Sequence, residues 1–503
     1  MSLAAWLEPL YDAAQMRAID AWAIESVGVP SLDLMERAGE GLAAVAAELA
    51  PRGRIVVVAG KGNNGGDGFV AARLLRAAGR DVDVLLAGEP SALSGDAASN
   101  LERLGDGQPA ALEHGIAADA ALVIDAVLGT GAGGAPRGEA LAAIEAILGA
   151  GAPVLAADIP SGVDASSGEV PGAAVVAVAT ATFHAAKAGL WIEPGRGCAG
   201  SIRVIDIGMP PGTPVEAVAG LIADRVLELI PRRGVRSTKF SSGRVLVAGG
   251  SAGLTGAPCL AALAAARAGA GYVSVCVPAS QHAIVESRLL EQMTIALADA
   301  DGAHSPAGVA ALLEAAAARG GALVLGPGLG RTEAAVAFAR GVIAAVELPV
   351  VLDADGLNAF AGALESLRGA RRLVLTPHEG ELGRLLGSDS ASVSAARLHC
   401  AREAAERSGA VVVLKGDDTI VAAPDGLAAV SAGASPALAT AGTGDVLSGV
   451  LGAMLAKGLE PFDAACAAVR MHALAGIRAG AARGVEGVIA SDVIEELGAV
   501  LAP

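Results

Sequence analysis

The chain has 503 residues, with 36 Lys plus Arg against 53 Asp plus Glu and a formal net charge of -17. At about 150 residues per domain, this length excludes a single small module and predicts two large domains or roughly three smaller ones. Hydrophobic residues make up 53% of the chain and charged residues 18%, so charge-driven disorder is excluded and a large buried core is expected. The acidic balance disfavours nucleic acid and an anionic membrane as partners.

Cysteine usage and the N-terminal segment predict the cellular compartment. The five cysteines are odd in number and widely spaced, with no C-x-x-C pair, so we expect reduced core thiols. The segment before Pro9 has no basic region and contains Glu8, so no secretory signal is expected. We therefore expect a cytoplasmic homo-oligomer that binds small molecules.

Short β-branched runs alternate along the chain with longer Ala/Leu/Arg segments such as Phe69–Ala78. This rhythm is typical of parallel sheet with crossover helices. The Pro/Gly-rich segment Gly208–Pro214 and the basic turn Pro231–Arg236 put a domain boundary near residues 210–235. The predicted fold is α/β with two doubly wound domains. The predicted strands are Ile55–Ala59, Leu122–Asp125, Val154–Ala157, Arg244–Ala248, Tyr272–Val277, Ala322–Leu325, Val350–Leu352, Leu373–Leu375 and Val411–Leu414.

A glycine-rich segment follows the first of these strands. Gly60–Gly65 fits the dinucleotide pattern G-x-G-x-x-G, which by itself is a weak signal. The next residues, Gly66–Gly68, place Asp67 where the helix is expected to start, and a carboxylate there repels a pyrophosphate. Such a loop suits hydroxyls, amides or a cation as well as phosphate. The alternative is a tight strand-to-helix turn without a ligand.

Two further strands of the first half end in polar loops, which contain Asp125 and Asp158. Parallel strands end at one edge of a sheet, so these loops are expected to converge with the glycine-rich segment. Asn64, Asp125 and Ser161 offer oxygen ligands that suit a hard cation. Alternatively, Asp125 and Asp164 only cap turns.

Asp158 is either a general base or a residue that supports the cation site. Lys187 is its candidate partner, provided that the fold brings both to the same edge. His184 is a candidate general acid, although a single histidine in an apolar segment is more often a hydrogen-bonded core residue.

The most informative segment of the second half is Ala439–Gly449. Successive backbone N–H groups of Ala441–Gly444 can form an anion hole for a phosphoryl group, just before a helix expected to start near Val446. Asp445 lies beside this hole and can accept a hydroxyl proton as the oxygen attacks phosphorus. The alternative is a glycine-rich helix cap.

Other loops of the second half also follow predicted strands. His378 and Glu379 are candidates for contact with substrate or with a metal-bound phosphate, and Lys415 for neutralising nucleotide charge. Gly249–Ala257 is another loop of close backbone approach. Asp353 and Asp355 are expected to be turn formers at strand ends.

Over residues 10–213, the motifs Asn63–Gly68, Asp125–Gly134, Asp158–Asp164 and Thr182–Gly189 together resemble the NAD(P)H-hydrate epimerase domain, with a Rossmann-like sheet. The resemblance implies a catalytic Asp158 and a potassium ion (K⁺) bound by Asn64, Asp125 and Ser161. Arg37 stands where the family usually has Asn. The substrate-binding residues that the resemblance implies are Asn63, Asn64, Gly65, Gly66, Asp67, Gly129, Thr130, Gly131, Ala132, Gly133, Gly134, Ala135 and Asp158.

Over residues 225–500, the chain resembles the ribokinase-like superfamily and, within it, the ADP-dependent NAD(P)H-hydrate dehydratase. The resemblance implies Asp445 at the reacting hydroxyl and Mg²⁺ bound with ADP. Ser435 and Ala441 replace a common Asn and a frequent Gly. The implied substrate-binding residues are Ala257, Gly328, Gly330, His378 and Asp445. The implied ADP-binding residues are Lys415, Gly416, Asp417, Asp418, Thr419, Ala441, Gly442, Thr443 and Gly444.

The two resemblances support each other, because an epimerase that interconverts R and S hydrates supplies a dehydratase that accepts only the S form. They imply a bifunctional repair enzyme that releases AMP and phosphate. Two alternatives stay open: an ATP-dependent kinase of small alcohols, which the anion hole and Asp445 fit equally well, and a nucleotide-sensing scaffold without turnover.

Overall fold

The structure is a computed structural model that describes residues 3–105, 107–318, 320–370 and 372–501. It divides into two compact units. The first contains residues 9–220, and the second contains residues 4–8 together with the chain from residue 221 onward. The assignment of one activity to residues 10–213 and of the other to residues 225–500 stays a prediction.

The strands are β1 (Leu7–Leu10), β2 (Arg54–Ala59), β3 (Val82–Leu86), β4 (Ala110–Ala111), β5 (Ala120–Ala126), β6 (Val154–Ala157), β7 (Ala179–Phe183), β8 (Ser201–Ile205), β9 (Ala219–Ile222), β10 (Arg244–Ala248), β11 (Tyr272–Pro278), β12 (Met293–Leu297), β13 (Asp299–Ala300), β14 (Ala303–His304), β15 (Ala322–Leu325), β16 (Val350–Leu352), β17 (Leu373–Leu375), β18 (Val411–Leu414), β19 (Ile420–Ala422) and β20 (Ala428–Ser431). The helices are α1 (Ala13–Ala21), α2 (Ser31–Leu49), α3 (Asn63–Ala77), α4 (Gly95–Glu102), α5 (Gly138–Gly149), α6 (Gly195–Ala199), α7 (Gly256–Arg267), α8 (His282–Glu286), α9 (Val309–Ala317), α10 (Glu333–Ala345), α11 (Asp355–Asn358), α12 (Glu379–Leu386), α13 (Ser390–Ala395), α14 (Arg397–Ser408), α15 (Thr443–Ala456), α16 (Pro461–Arg483) and α17 (Ala490–Val500).

The first unit is built on a seven-stranded sheet in the order β4-β3-β2-β5-β6-β7-β8, whose strand pairs are parallel. The chain proceeds outward from β2 in one direction and then from β5 in the other. The topological switch point therefore lies between β2 and β5, where ligands bind in doubly wound sheets. The loops after β2, β5 and β6 meet at this edge, as the sequence predicted.

The start of α3 differs from the prediction of a glycine-rich loop, Gly60–Gly65, followed by a helix that starts at Gly66–Gly68. The helix already begins at Asn63, so Asn64–Gly68 are helical and buried. The glycines serve close packing, because a Cβ at Gly65 would lie 2.0 Å from Gly60 O, and one at Gly68 would lie 2.7 Å from Ala126 Cβ. The absence of side chains at these glycines thus lets the N-terminus of α3 pack directly against the sheet edge.

The second unit contains an 11-stranded sheet in the order β1-β9-β20-β19-β18-β17-β16-β15-β10-β11-β12. Strands β10–β12 and β15–β18 pair in parallel, and the switch point lies between β10 and β15. The prediction of parallel sheet was incomplete, because β18, β19 and β20 pair antiparallel. These strands are joined by short connections, which antiparallel pairing permits.

The buried strands explain why the hydrophobic signal was strong. Every residue of β6, β10 and β15 is buried, as expected for parallel strands covered on both faces. Four of the five cysteines are buried, and Cys198 is only partly buried, so the expectation of core thiols was wrong for Cys198. Across the described ranges, the helices include none that is both long and apolar enough to cross a membrane.

Candidate functional site

The first unit contains a cavity of about 700 Å³ at the switch-point edge of its sheet. Several residues implied as substrate-binding line it: Asn63, Asn64, Asp67, Gly129, Thr130, Gly131, Ala132 and Asp158. Gly65, Gly66, Gly133, Gly134 and Ala135 are not among its lining residues within the described chain. The structure thus brings the loops after β2, β5 and β6 around one space large enough for a nucleotide-sized ligand.

Asp158 is the most constrained carboxylate in this cavity. Its Oδ1 lies 2.7 Å from Lys187 Nζ, and its Oδ2 accepts hydrogen bonds from Thr130 N at 3.0 Å and from Thr130 Oγ1. Burial alone raises the pKa of Asp158, but Lys187 and the Thr130 hydrogen bonds outweigh it and lower the pKa below its ordinary value. Asp158 is therefore held ionised and fixed in orientation.

Lys187 is fully occupied by its own contacts. Its Nζ donates to Thr182 Oγ1 at 2.9 Å and to Phe183 O at 2.6 Å, in addition to Asp158. The fold therefore brings Lys187 and Asp158 to the same edge of the sheet, so Lys187 is the partner of Asp158, as predicted. The other candidate in this segment, His184, does not line the cavity in the described structure.

The three residues assigned to a cation lie in one hydrogen-bonded group. Ser161 Oγ lies 2.6 Å from Asp125 Oδ1, and Ser161 N donates to Asp125 Oδ2 at 2.8 Å. Asn64 Nδ2 donates to Leu128 O at 3.0 Å. Asn64 Oδ1 is buried and has no hydrogen-bond partner within the part of the chain that the structure describes. Leu128 N donates to Ser161 Oγ at 2.9 Å, so Leu128 links Asn64 to Ser161 and Asp125. The unpaired oxygen, the hydroxyl and the carboxylate of this group suit a hard cation.

Further acidic groups line the cavity or lie beneath it. Burial raises the pKa of Asp67 well above its ordinary value, and burial raises the pKa of Asp20 and of Asp125 to about 6. Asp164 serves as a turn former, because its Oδ1 accepts from Ser166 N at 2.9 Å.

In the second unit, the anion-hole segment lies at the N-terminus of α15. The helix begins at Thr443, three residues before the predicted start near Val446, and Gly442 precedes it with a φ of 90°. The first-turn N–H groups have no partners within a helix, so they can bind an anion, with Asp445 in the same turn. Ser435 N-caps the preceding turn by accepting a hydrogen bond from Ala437 N at 3.2 Å.

Asp353 organises the charges near Asp445. Its Oδ1 lies 3.0 Å from Lys415 Nζ, and its Oδ2 accepts from Ser448 Oγ at 2.7 Å. Lys415 Nζ also lies 3.7 Å from Glu381 Oε2. Burial first, and then the charge of Asp353, raise the pKa of Asp445 to about 7 although Lys415 opposes them. Asp445 can therefore exchange a proton near neutral pH.

The loops predicted to bind the hydrated nucleotide also meet. Ser251 Oγ donates to Gly328 O at 3.0 Å, and a Cβ at Gly328 would lie 3.2 Å from Ala257 Cβ. Gly330 N donates to Asp355 Oδ2 at 3.0 Å. Asp355 therefore fixes the loop that carries Gly330, a predicted substrate-binding residue. This contact goes beyond the turn-forming role that was expected.

Two residues predicted as ligands also make local contacts, and their ligand roles stay a prediction. His378 N-caps α12, where its Nδ1 accepts from Gly380 N at 3.0 Å. Asp418 is buried against Arg397, with an N–O distance of 2.7 Å. Arg397 also lies 2.6 Å from Glu379 Oε1. Lys415, Gly416, Asp417 and Thr419 follow β18, and Thr419 Oγ1 donates to Gly416 O at 2.5 Å.

Several residues of these sites were not assigned from the sequence. Asp20 lines the first cavity from α1, and Asp353, Glu381 and Arg397 surround Lys415 and its loop. Asp20 belongs to no motif, so no sequence signal identified it. Asp353 follows a buried strand at the ligand edge, and that position was the available signal.

Comparisons with known proteins agree with the two-part organisation. A family model described as NAD(P)H-hydrate dehydratase matches residues 245–498, and one described as YjeF-related protein N-terminus matches residues 31–189. A relative from Salinibacter ruber, named bifunctional NAD(P)H-hydrate repair enzyme Nnr, is 40% identical over 98% of this chain and 96% of its own. A relative of the same name from Escherichia coli is 34% identical over 98% of this chain and 93% of its own.

Among solved structures, an ADP/ATP-dependent NAD(P)H-hydrate dehydratase from Bacillus subtilis, co-crystallised with ATP and Mg²⁺, is 28% identical. It covers 56% of this chain and 96% of its own, with a TM-score of 0.47. The full-length sequence relatives cover both units. The chain therefore belongs to the family of bifunctional NAD(P)H-hydrate repair enzymes.

Proposed function

We propose that this chain repairs hydrated nicotinamide cofactors in two steps. The first unit epimerises the R and S forms of NAD(P)H hydrate, and the second dehydrates the S form at the expense of ADP, releasing AMP and phosphate. The observation that carries the proposal is the similarity to bifunctional relatives over 98% of the chain. The presence of one polar site in each unit supports a separate location for each activity.

In the dehydratase step, Asp445 accepts the proton of the substrate's ring hydroxyl as the oxygen attacks the β-phosphorus of ADP. The bond from that phosphorus to the bridging oxygen breaks and AMP leaves. The N–H groups of Ala441–Gly444 stabilise the charge on the transferring phosphoryl group. Loss of the new phosphate ester, with a ring proton, restores the double bond of NADH or NADPH.

Lys415 has a supporting role in this step. Although burial acts to lower it, the carboxylates of Asp353 and Glu381 raise the pKa of Lys415 above its ordinary value, so its ammonium group stays charged. It balances the carboxylates around Asp445 and attracts the nucleotide's phosphates. Mg²⁺ is proposed to arrive with the ADP phosphates, where it offsets their charge.

In the epimerase step, Asp158 is proposed to act on the hydrated ring inside the cavity. Its ion pair with Lys187 keeps the carboxylate charged and fixed. Asn64, Asp125 and Ser161 are proposed to hold K⁺ below the cavity, because the unpaired Asn64 Oδ1 adds an oxygen ligand to theirs. The cation would fix the loop that carries Thr130. The cytoplasmic location and the homo-oligomer stay predictions.

The test supplies the purified chain with a mixture of R and S NADH hydrate, plus Mg²⁺ and K⁺, and follows absorbance at 340 nm. Full recovery of NADH with ADP, together with stoichiometric AMP and phosphate, is expected. Accumulation of a stable phosphorylated alcohol would favour the small-alcohol kinase. If the wild-type chain recovers no NADH with either nucleotide, the enzymatic proposal fails and the scaffold remains. Unchanged activity in Asp158→Ala and Asp445→Ala would instead refute the roles given to these two carboxylates.

A further inference from the structure

Asp20 occupies an unusual position in the wall of the first unit's cavity. It lies near the C-terminus of α1, and Met16, Asp20 and Ile24 face the cavity at a spacing of about one helical turn. A π-helical turn, Trp22–Val27, follows α1 directly. Such turns inside helices are frequent at functional sites. The matched family model begins only at residue 31, so it does not include Asp20.

The fold fixes α1 beside the ion pair of the cavity. Tyr11 N donates to Ala186 O at 3.1 Å, and Ala188 N donates to Tyr11 O at 3.2 Å, so the chain before α1 pairs with the segment that carries Lys187. A capping box between Asp12 and Gln15, with Gln15 N 2.7 Å from Asp12 Oδ1, starts the helix immediately afterwards. Asp20 therefore reaches the cavity from a fixed helix.

The charged groups around Asp20 favour a state in which at least one of the neighbouring carboxylates stays protonated. Asp67 on α3, Asp158 after β6 and Lys187 after β7 line the same cavity, and Arg17, Lys61, Asp96, Arg137 and Glu139 also border it. The carboxylates of Asp20, Asp67 and Asp158 lie near one ammonium group, that of Lys187, which already contacts Asp158. Ionising all three carboxylates at once is therefore costly. No hydrogen-bond donor within the described ranges reaches the Asp20 carboxylate. It is free to exchange its proton with a ligand.

The chemistry of the substrate can use such a proton. Water added to the enamine of a reduced nicotinamide places the hydroxyl on the carbon next to the ring nitrogen. One way to invert that carbon is to break its C–O bond and re-form it on the opposite face. Resting on the proposed epimerase activity, we propose that Asp20 is the catalytic acid that protonates the departing ring hydroxyl.

In this step the C–O bond breaks as the hydroxyl takes the Asp20 proton and leaves as water, while the nitrogen lone pair forms a C=N bond. Water then adds to the opposite face and its proton passes to the Asp158 carboxylate. The C–O bond is remade with inverted configuration, and no atom is oxidised or reduced. Exchange with solvent returns a proton to Asp20 and removes the one that Asp158 gained, which its lowered pKa favours. The reverse direction exchanges the two roles.

The test measures conversion of purified R hydrate to S hydrate by the full chain without nucleotide. Asp20→Asn is expected to lower kcat about 10²- to 10⁴-fold with KM nearly unchanged, while dehydration of purified S hydrate with ADP stays at the wild-type rate. Asp20→Glu, which retains an acid, is expected to recover much of kcat. Glu25→Gln, the same change on an exposed carboxylate of the following turn, is the matched control.

The pH profile separates proton donation from a structural role. Asp20 acts in its protonated form, and burial raises its pKa to about 6, so kcat for R-to-S conversion should fall as pH rises above 6. Asp20→Asn should lose that limb of the profile. Wild-type kcat in Asp20→Asn, or equal loss in Asp20→Asn and Asp20→Glu, would overturn the proposal. Absence of epimerisation by the wild-type chain would instead overturn the proposed function.

Discussion

Lys187 Nζ lies 2.7 Å from Asp158 Oδ1, and the lysine side chain is only 1% exposed. Removing one partner leaves an uncompensated buried charge, which costs about 3–5 kcal/mol. Lys187→Met is therefore expected to lower the free energy of unfolding by about that amount, as measured by urea denaturation. It should also abolish epimerisation, because Asp158 loses the contact that orients it.

The double variant Lys187→Met/Asp158→Asn tests this explanation, since it removes both charges. It should regain most of the lost stability but no epimerase activity. Equal stability losses in the single and double variants would show that packing of the lysine stem, rather than the unpaired charge, causes the loss.

The packing of α3 on the sheet edge predicts that Gly65 tolerates no side chain. A Cβ there would lie 2.0 Å from Gly60 O, whereas a Cβ at Gly62 would meet nothing within 4 Å. Gly65→Ala is expected to cost about 1–3 kcal/mol of stability, as overpacking usually does, and Gly62→Ala much less. Thermal unfolding of both variants measures the contrast. Similar melting temperatures would contradict the close packing of this helix start.

The proposed cation site predicts that potassium stabilises the protein. The melting temperature should rise with KCl more than with choline chloride at equal ionic strength, because a ligand of the folded state alone stabilises it by mass action. Asn64→Ala removes the unpaired oxygen and should abolish the difference between the salts. Gln108→Ala, on an exposed loop, should preserve it. An unchanged potassium effect in Asn64→Ala would exclude this site.

The dehydratase should depend on pH through Asp445. Only the ionised carboxylate accepts a proton, and burial with nearby carboxylates raises its pKa to about 7, so kcat should increase as pH rises from 6 to 8. The same raised pKa means that the folded chain binds a proton more tightly than the unfolded one. Stability is therefore lost as pH rises from about 4 to 7, and Asp445→Asn should reduce that loss. A pH-independent kcat would contradict the assignment.

The sequence predicted the strands that carry the sites well, because fully buried parallel strands give continuous apolar runs bounded by glycine and polar loops. Their shared edge then follows from topology, which is why Asn64, Asp125 and Asp158 could be assigned, whereas Asp445 was assigned from the glycine-rich segment before its helix. The roles of these residues still rest on the proposed chemistry.

The sequence could not reveal how side chains are partnered. His378 and Asp418 stay predicted ligands, but their motifs did not show that one caps a helix and that the other pairs with Arg397, a residue 21 positions away. Asp20 gives no signal because its role depends on a helix brought beside Lys187 by tertiary pairing. The antiparallel strands β19 and β20 were missed because such short strands carry no distinct periodicity.

The most direct test of the two-site account follows NADH recovery at 340 nm from a mixture of R and S hydrate with ADP. We predict complete recovery by the wild-type chain. Asp158→Asn should recover the S fraction rapidly and the R fraction only at the spontaneous rate of epimerisation, and Asp445→Asn should recover none. Rapid full recovery by Asp158→Asn, or any enzymatic recovery by Asp445→Asn, would contradict the account.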